Sequence, residues 1–154
     1  VARYESSFTH DIPDGDHHIL CFLSRSYHES LKTPTAYKAV KATVAGKSIK
    51  TMVPIEQPIL FYSRPKGLYT GDDIKKVMLD YYLVNADAPG YKVEADINGE
   101  KHLLEKWQPY YIEGLPEGDN TITLSLLDST GQLVNTPLNP VSRTFKLEKT
   151  PVSN

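Results

Sequence analysis

Leu115-Pro116-Glu117-Gly118-Asp119-Asn120-Thr121-Ile122-Thr123-Leu124-Ser125-Leu126 is the stretch that decides the fold. Pro116 to Asp119 forms a tight polar turn, because proline presets one dihedral and glycine takes angles that other residues avoid. Alternation follows it. Ile122, Leu124 and Leu126 share one face of an extended chain, with Thr123 and Ser125 on the other. This is the two-residue period of a half-buried β-strand.

The same grammar extends outward from that strand. Residues 141–147 place Val141, Phe145 and Leu147 in a last strand. Residues 91–97 alternate Tyr91, Val93, Ala95 and Ile97 with Lys92, Glu94 and Asp96, and Asn98-Gly99 then turns the chain back into residues 100–105. Residues 58–62, 77–84 and 108–112 complete the set; Tyr81-Tyr82-Leu83-Val84 favours strand over a helical turn near residues 74–78. Seven short strands in about 95 residues fit an all-β, immunoglobulin-like or fibronectin-like sandwich.

The first half holds fewer strands: residues 17–24 and 37–45, with a weaker run at 2–8. An internal repeat accounts for this shortfall. Ile12-Pro13-Asp14-Gly15-Asp16-His17-His18-Ile19 matches Leu115-Pro116-Glu117-Gly118-Asp119-Asn120-Thr121-Ile122 at an offset of 103 residues. The same offset sets Ile19, Cys21 and Leu23 on Ile122, Leu124 and Leu126, Tyr4 on Trp107, and Phe8 on Tyr111. One sandwich domain has about this length. The expected organisation is therefore tandem. Residues 1–52 are the closing strands of an incomplete first sandwich, 53–149 a complete one and 150–154 a tail. The first sandwich lacks roughly 50 residues. They belong to a longer protein, or a second chain donates them; the other alternative is one irregular domain.

Composition narrows the function classes. The chain has 154 residues, 40% hydrophobic and 23% charged, with 17 Lys+Arg against 19 Asp+Glu and a net charge of −2. No basic excess exists to drive nucleic-acid binding. No apolar run reaches the ~18 residues of a membrane span. The single Cys21 excludes an internal disulfide framework.

Three segments concentrate residues suited to binding: 24–30 with Arg25, Tyr27 and His28; 61–67 with Tyr62, Arg64 and Lys66; and 106–111 with Trp107 and Tyr110. Arginine offers a bidentate fork to carboxylate or phosphate, and Arg, Tyr and Trp dominate interface hot spots. The plainer reading makes the same residues interdomain glue, with Arg25 paired to Glu29 or Asp80. Asp80 interrupts an apolar strand, so burial would demand a cationic partner, for which Arg64 is the expectation. His10, His17, His18 and His28 cluster in sequence, but His17 and His18 point to opposite faces of a strand, and no metal site is assigned. His28, Glu29 and Ser30 are contiguous rather than convergent, so no catalytic residues are assigned.

Residues 22–30, 61–67, 80–83 and 106–114 together resemble a family of poorly characterised exported bacterial proteins. These occur as lipoproteins of Bacteroidota, with similar modules in cyanobacteria, and some are labelled phosphopeptide-binding. The likeness runs over residues 18–147. No forkhead-associated-type loop signature accompanies it. The resemblance implies a longer precursor in the cell envelope, periplasmic or outer-membrane-associated, held to membrane only through an unseen N-terminal anchor. The expected role is a non-catalytic binding or scaffolding module without cofactor, an accessory lipoprotein subunit with a protein partner in an outer-membrane assembly. The alternative is a small-ligand, anion or glycan-binding module built on the Arg/Tyr/Trp cluster.

Overall fold

The computed structural model describes residues 2–87 and 89–149. The strands are β1 (Gly15–Phe22), β2 (Tyr37–Ala45), β3 (Ser48–Pro54), β4 (Ile59–Arg64), β5 (Gly67–Thr70), β6 (Val77–Val84), β7 (Tyr91–Ile97), β8 (Glu100–Leu104), β9 (Tyr110–Ile112), β10 (Gly118–Asp128) and β11 (Val141–Glu148). A 3-10 turn, Gly71–Ile74, sits between β5 and β6. The protein is all-β. No helix among the described residues is long and apolar enough to cross a membrane.

The chain divides into two compact units. One comprises Lys38–Ile55 and the described residues up to Cys21; the other comprises Phe22–Tyr37 and the described residues from Glu56 onward. The first unit is a three-stranded sheet in the order β1-β2-β3, with β2 and β3 antiparallel. Asp14 accepts hydrogen bonds from the Gly46 and Lys47 amides, and Thr43 Oγ1 donates to Asp16 at 2.6 Å. Ala42 and Val44 are buried, but every residue of β3 is exposed.

The second unit is an immunoglobulin-like sandwich. Its sheets run β4-β6-β9 and β5-β11-β10-β7-β8. Pairing is antiparallel except between β5 and β11, which is parallel. Leu60, Leu79 and Tyr81 from one sheet meet Ala95, Ile122, Leu124 and Phe145 from the other in a single core. At the entry to β10 the buried Asn120 side chain donates to Pro116 O and Gly118 O, and accepts from Asn98 Nδ2 at 2.8 Å. This side-chain corner fixes where the strand begins.

Three expectations need correction. Residues 2–8 form no strand: nothing orders this short polar-rich run into a ladder. β3 and β5 were not expected. β3 carries Pro54 and is exposed throughout, as an edge strand can be, and β5 is only four residues long.

Candidate functional site

β6 is buried on both faces, and its second face builds the site. Val77, Leu79, Tyr81 and Leu83 enter the sandwich core, which turns Asp80 and Tyr82 to the outer side of the β4-β6-β9 sheet. Phe22–Tyr37 covers that side. Its backbone first closes a small loop. Ser24 bridges Ser30, Arg25 N donates to Glu29 O at 2.9 Å, and His28 takes the left-handed conformation, φ 68°.

The loop delivers two partners to Asp80. Ser30 N donates to Asp80 Oδ2 at 3.1 Å, and Lys32 Nζ donates to Asp80 Oδ1 at 2.6 Å. The ammonium also donates to Ser30 Oγ at 2.7 Å. Asp80 is fully buried and the Lys32 side chain is 11% exposed. Such a pair spends most of its Coulomb attraction on desolvation, so its main effect is to fix where the segment docks. Tyr82 O–H holds the same segment from its other side, donating to Leu31 O at 2.8 Å.

Aromatic rings pack beside this ion pair. Tyr82 stacks on Phe22 at 5.4 Å, and meets Tyr37 at 4.9 Å and the edge of Trp107 at 5.0 Å. Lys32 Nζ lies 5.9 Å from the Tyr82 centroid and 5.8 Å from that of Trp107, within cation–π range. Burial, then Tyr37 and Asp80, push the Tyr82 hydroxyl up to about 12. Trp107 Nε1 donates to Tyr81 O at 3.1 Å.

The structure brings some of the sequence-selected residues together and leaves others apart. Arg25 is exposed and pairs with Glu29 at 3.5 Å. Tyr27 and Tyr111 are both largely exposed. The Tyr111 hydroxyl is held above its ordinary value by desolvation first, then by Glu29, Tyr27 and Asp80. Lys76 caps the Tyr111 ring at 4.8 Å. Tyr110 O–H donates to Lys106 O at 2.7 Å.

Tyr62, Arg64 and Lys66 stand elsewhere. Tyr62 packs against the sandwich core, donates to Pro65 O at 2.8 Å and lies 5.8 Å from the Arg143 guanidinium. Burial, then Tyr69, raise its hydroxyl, and Arg143 opposes them. With Leu60, Leu138, Pro140 and Arg143 it lines an open groove of about 280 Å³. Lys66 is exposed, and its amide donates to Tyr69 Oη at 3.2 Å.

The expected Asp80 partner is corrected. Arg64 is opposite Asp80 in the β4–β6 register, beyond a bulge at Tyr62/Arg64, yet the cation on the carboxylate is Lys32. Sequence periodicity reaches only partners within one sheet, and Lys32 arrives from 48 residues away. The one available signal was Asp80 itself, a charge in an apolar strand. His17 bonds Pro13 O at 2.7 Å, and no group of three His, Cys, Asp or Glu among the described residues is placed to hold a metal ion.

No protein-family model matches the chain, and no curated protein does. Solved structures resemble it weakly. One is a fibronectin(III)-like module structure of Clostridium thermocellum CbhA: 15% identity, TM-score 0.44, 60% of this chain and 100% of that one. Another is a putative membrane-anchored protein from Corynebacterium diphtheriae: 13% identity, TM-score 0.44, 79% of this chain. This chain spans 30% of that protein's length.

Proposed function

We propose that the chain is a non-catalytic binding or scaffolding module of an exported cell-envelope protein, an accessory lipoprotein subunit of an outer-membrane assembly. One observation carries the non-catalytic reading: the polar residues that converge most closely are consumed internally. Asp80, Lys32 and Ser30 satisfy one another, and Tyr82 and Trp107 bond to backbone carbonyls. The cluster fastens a loop to a sheet. It leaves Tyr27 and Tyr111 exposed beside it, in the composition that protein interfaces favour. The envelope location rests on the family resemblance.

A small-ligand, anion or glycan site on the Arg/Tyr/Trp cluster, with Arg64, Trp107, Tyr110 and Tyr111 at its centre, has less support. Arg25 is paired with Glu29, and one face of the site, the Trp107 indole, is occupied by Tyr82 and Lys32.

The test is fractionation of source cells, combined with a photo-crosslinking residue at position 27 or 111 of the native protein. Recovery with the envelope and a discrete adduct to one protein at both positions is the expected result. Recovery in the cytosol, or adducts absent at both positions, overturns the proposal.

A further inference from the structure

The 103-residue repeat extends from sequence into hydrogen bonds. Ser24 bridges Ser30, and Leu127 bridges Leu133. Arg25 N→Glu29 O matches Asp128 N→Gln132 O; His28 N→Arg25 O matches Gly131 N→Asp128 O; Leu31 N→Leu23 O matches Val134 N→Leu126 O. Positive φ recurs at His28 and Gly131, and at Gly15 and Gly118. The strand-entry corner recurs too. His17 Nε2 bonds Pro13 O at 2.7 Å, where Asn120 Nδ2 bonds Pro116 O at 2.8 Å. β1 opens at the position that opens β10, and β2 overlays β11. An isolated Pro-x-Gly turn recurs by chance in many chains; this whole series in one register does not.

What differs is the cover. Ile122, Leu124 and Leu126 are fully buried. Of their counterparts, Ile19 is half-buried, Cys21 is exposed and Leu23 is 62% exposed. Across β10 lies β7, with Ile97, Ala95 and Val93 opposite those three leucine and isoleucine positions. Among the described residues, β1 is the edge of its sheet on that side. Ile49 and Met52 of β3 add further exposed apolar area to the same unit. The outer edges are not alike, since β11 takes β5 in parallel and β2 takes β3 antiparallel. A partner set therefore needs no counterpart of β5.

We infer that the free edge and apolar face of β1 receive a strand set equivalent to β4 and β6–β9, carried by polypeptide joined ahead of Val1. The strand beside β1 runs as β7 runs beside β10, with apolar residues opposite Ile19 and Cys21. β1 and β2 are then the closing strands of a first sandwich.

Cys21 supplies the probe, because it is the only cysteine in this chain and its counterpart Leu124 is fully buried. N-ethylmaleimide labelling of Cys21, followed by peptide mass mapping, is compared between the 154-residue chain and the native protein from its source. The native protein's intact mass and N-terminal residue are measured in parallel. Expected are slowing of native labelling by about 100-fold or more, as local opening of a covered core would require, and a mass above 17.3 kDa. The excess precedes Val1 and amounts to roughly half a sandwich domain. Equal labelling rates overturn the inference. Protection in a native chain that starts at Val1 also overturns it, and assigns the cover to a second copy or another polypeptide.

Discussion

β1 with β2 and β10 with β11 follow one backbone path, and they differ in what that path rests on. In the later pair the inward residues close a sandwich core, whereas in the earlier pair the counterparts Cys21 and Leu23 face solvent. The connecting loops differ as well. Residues 126–139 are stitched by Asn139, whose side chain accepts from Leu126 N and donates to Leu126 O and Val134 O. Residues 23–36 use a backbone bond, Leu23 N→Ala36 O, and anchor through the buried Lys32–Asp80 pair. Turn chemistry thus specifies the local path, and burial is a separate variable set by what packs on it.

The largest effect tests the ion-pair anchor. Asp80→Ala leaves Lys32 without its counter-charge in a nearly closed site and should destabilise the sandwich unit by about 3–5 kcal/mol. Urea denaturation measures it. Adding Lys32→Met should restore most of the loss; no recovery would mean that Asp80 acts through something other than the pair.

Next comes the core contrast. Leu124→Ala, at a fully buried position, should cost about 2–5 kcal/mol. Cys21→Ala, at the matching exposed position, should stay within about 0.5 kcal/mol in the 154-residue chain. Similar costs at both sites would break the comparison.

The corners come third. Asn120→Ala removes bonds to Pro116 O and Gly118 O and leaves Asn98 Nδ2 without its acceptor, a loss of about 1–3 kcal/mol. His17→Ala should cost under about 0.5 kcal/mol, since its one bond to Pro13 O is exposed. Thermal melts of the two variants side by side would show the gap.

Smaller still is the loop conformation. An added Cβ at Gly131 meets nothing within 4 Å, so Gly131→Ala reports only its positive φ of 88° and should destabilise by about 1 kcal/mol. His28→Gly relieves the same conformation and should stabilise by up to about 1 kcal/mol. Matching signs would mean that the two loops are not equivalent.

The smallest effect is in pH. The Asp128 carboxyl is held below the usual value, first by the Thr130 hydroxyl, then by the Gln132 amide. Its contribution is therefore present above the ordinary carboxylate range and fades as pH falls through its own lower value. The first loop has Arg25 at this position. Amide NMR shifts of Thr130 and Gln132, whose N–H groups donate to this carboxylate, should move together in acid, and Asp128→Asn should abolish that shared transition.

Strands with an internal signal were legible in the sequence. The bounds of β2, β6 and β7 follow directly from their alternating or continuous apolar runs. β3 and β5 were not, because an exposed edge and a four-residue strand carry little pattern and exist through a neighbour's hydrogen bonds. Of the site, Asp80, Trp107 and the Arg25–Glu29 pair could be read from residue type and spacing. Lys32 and the aromatic enclosure of Tyr82 could not, since they join segments far apart in the chain.

By itself the sequence determined the all-β class, the Pro-acid-Gly-acid segments at 13–16 and 116–119 that lead into β1 and β10, and the repeat between them, because turn chemistry and two-residue periodicity act over a few neighbouring residues. Only the tertiary structure decided that Asp80 is met by Lys32, that Phe22–Tyr37 covers the outer face of β6, and that Leu124 is buried while Cys21 is exposed. Burial and ion pairing depend on which distant surfaces meet, and no local pattern encodes that.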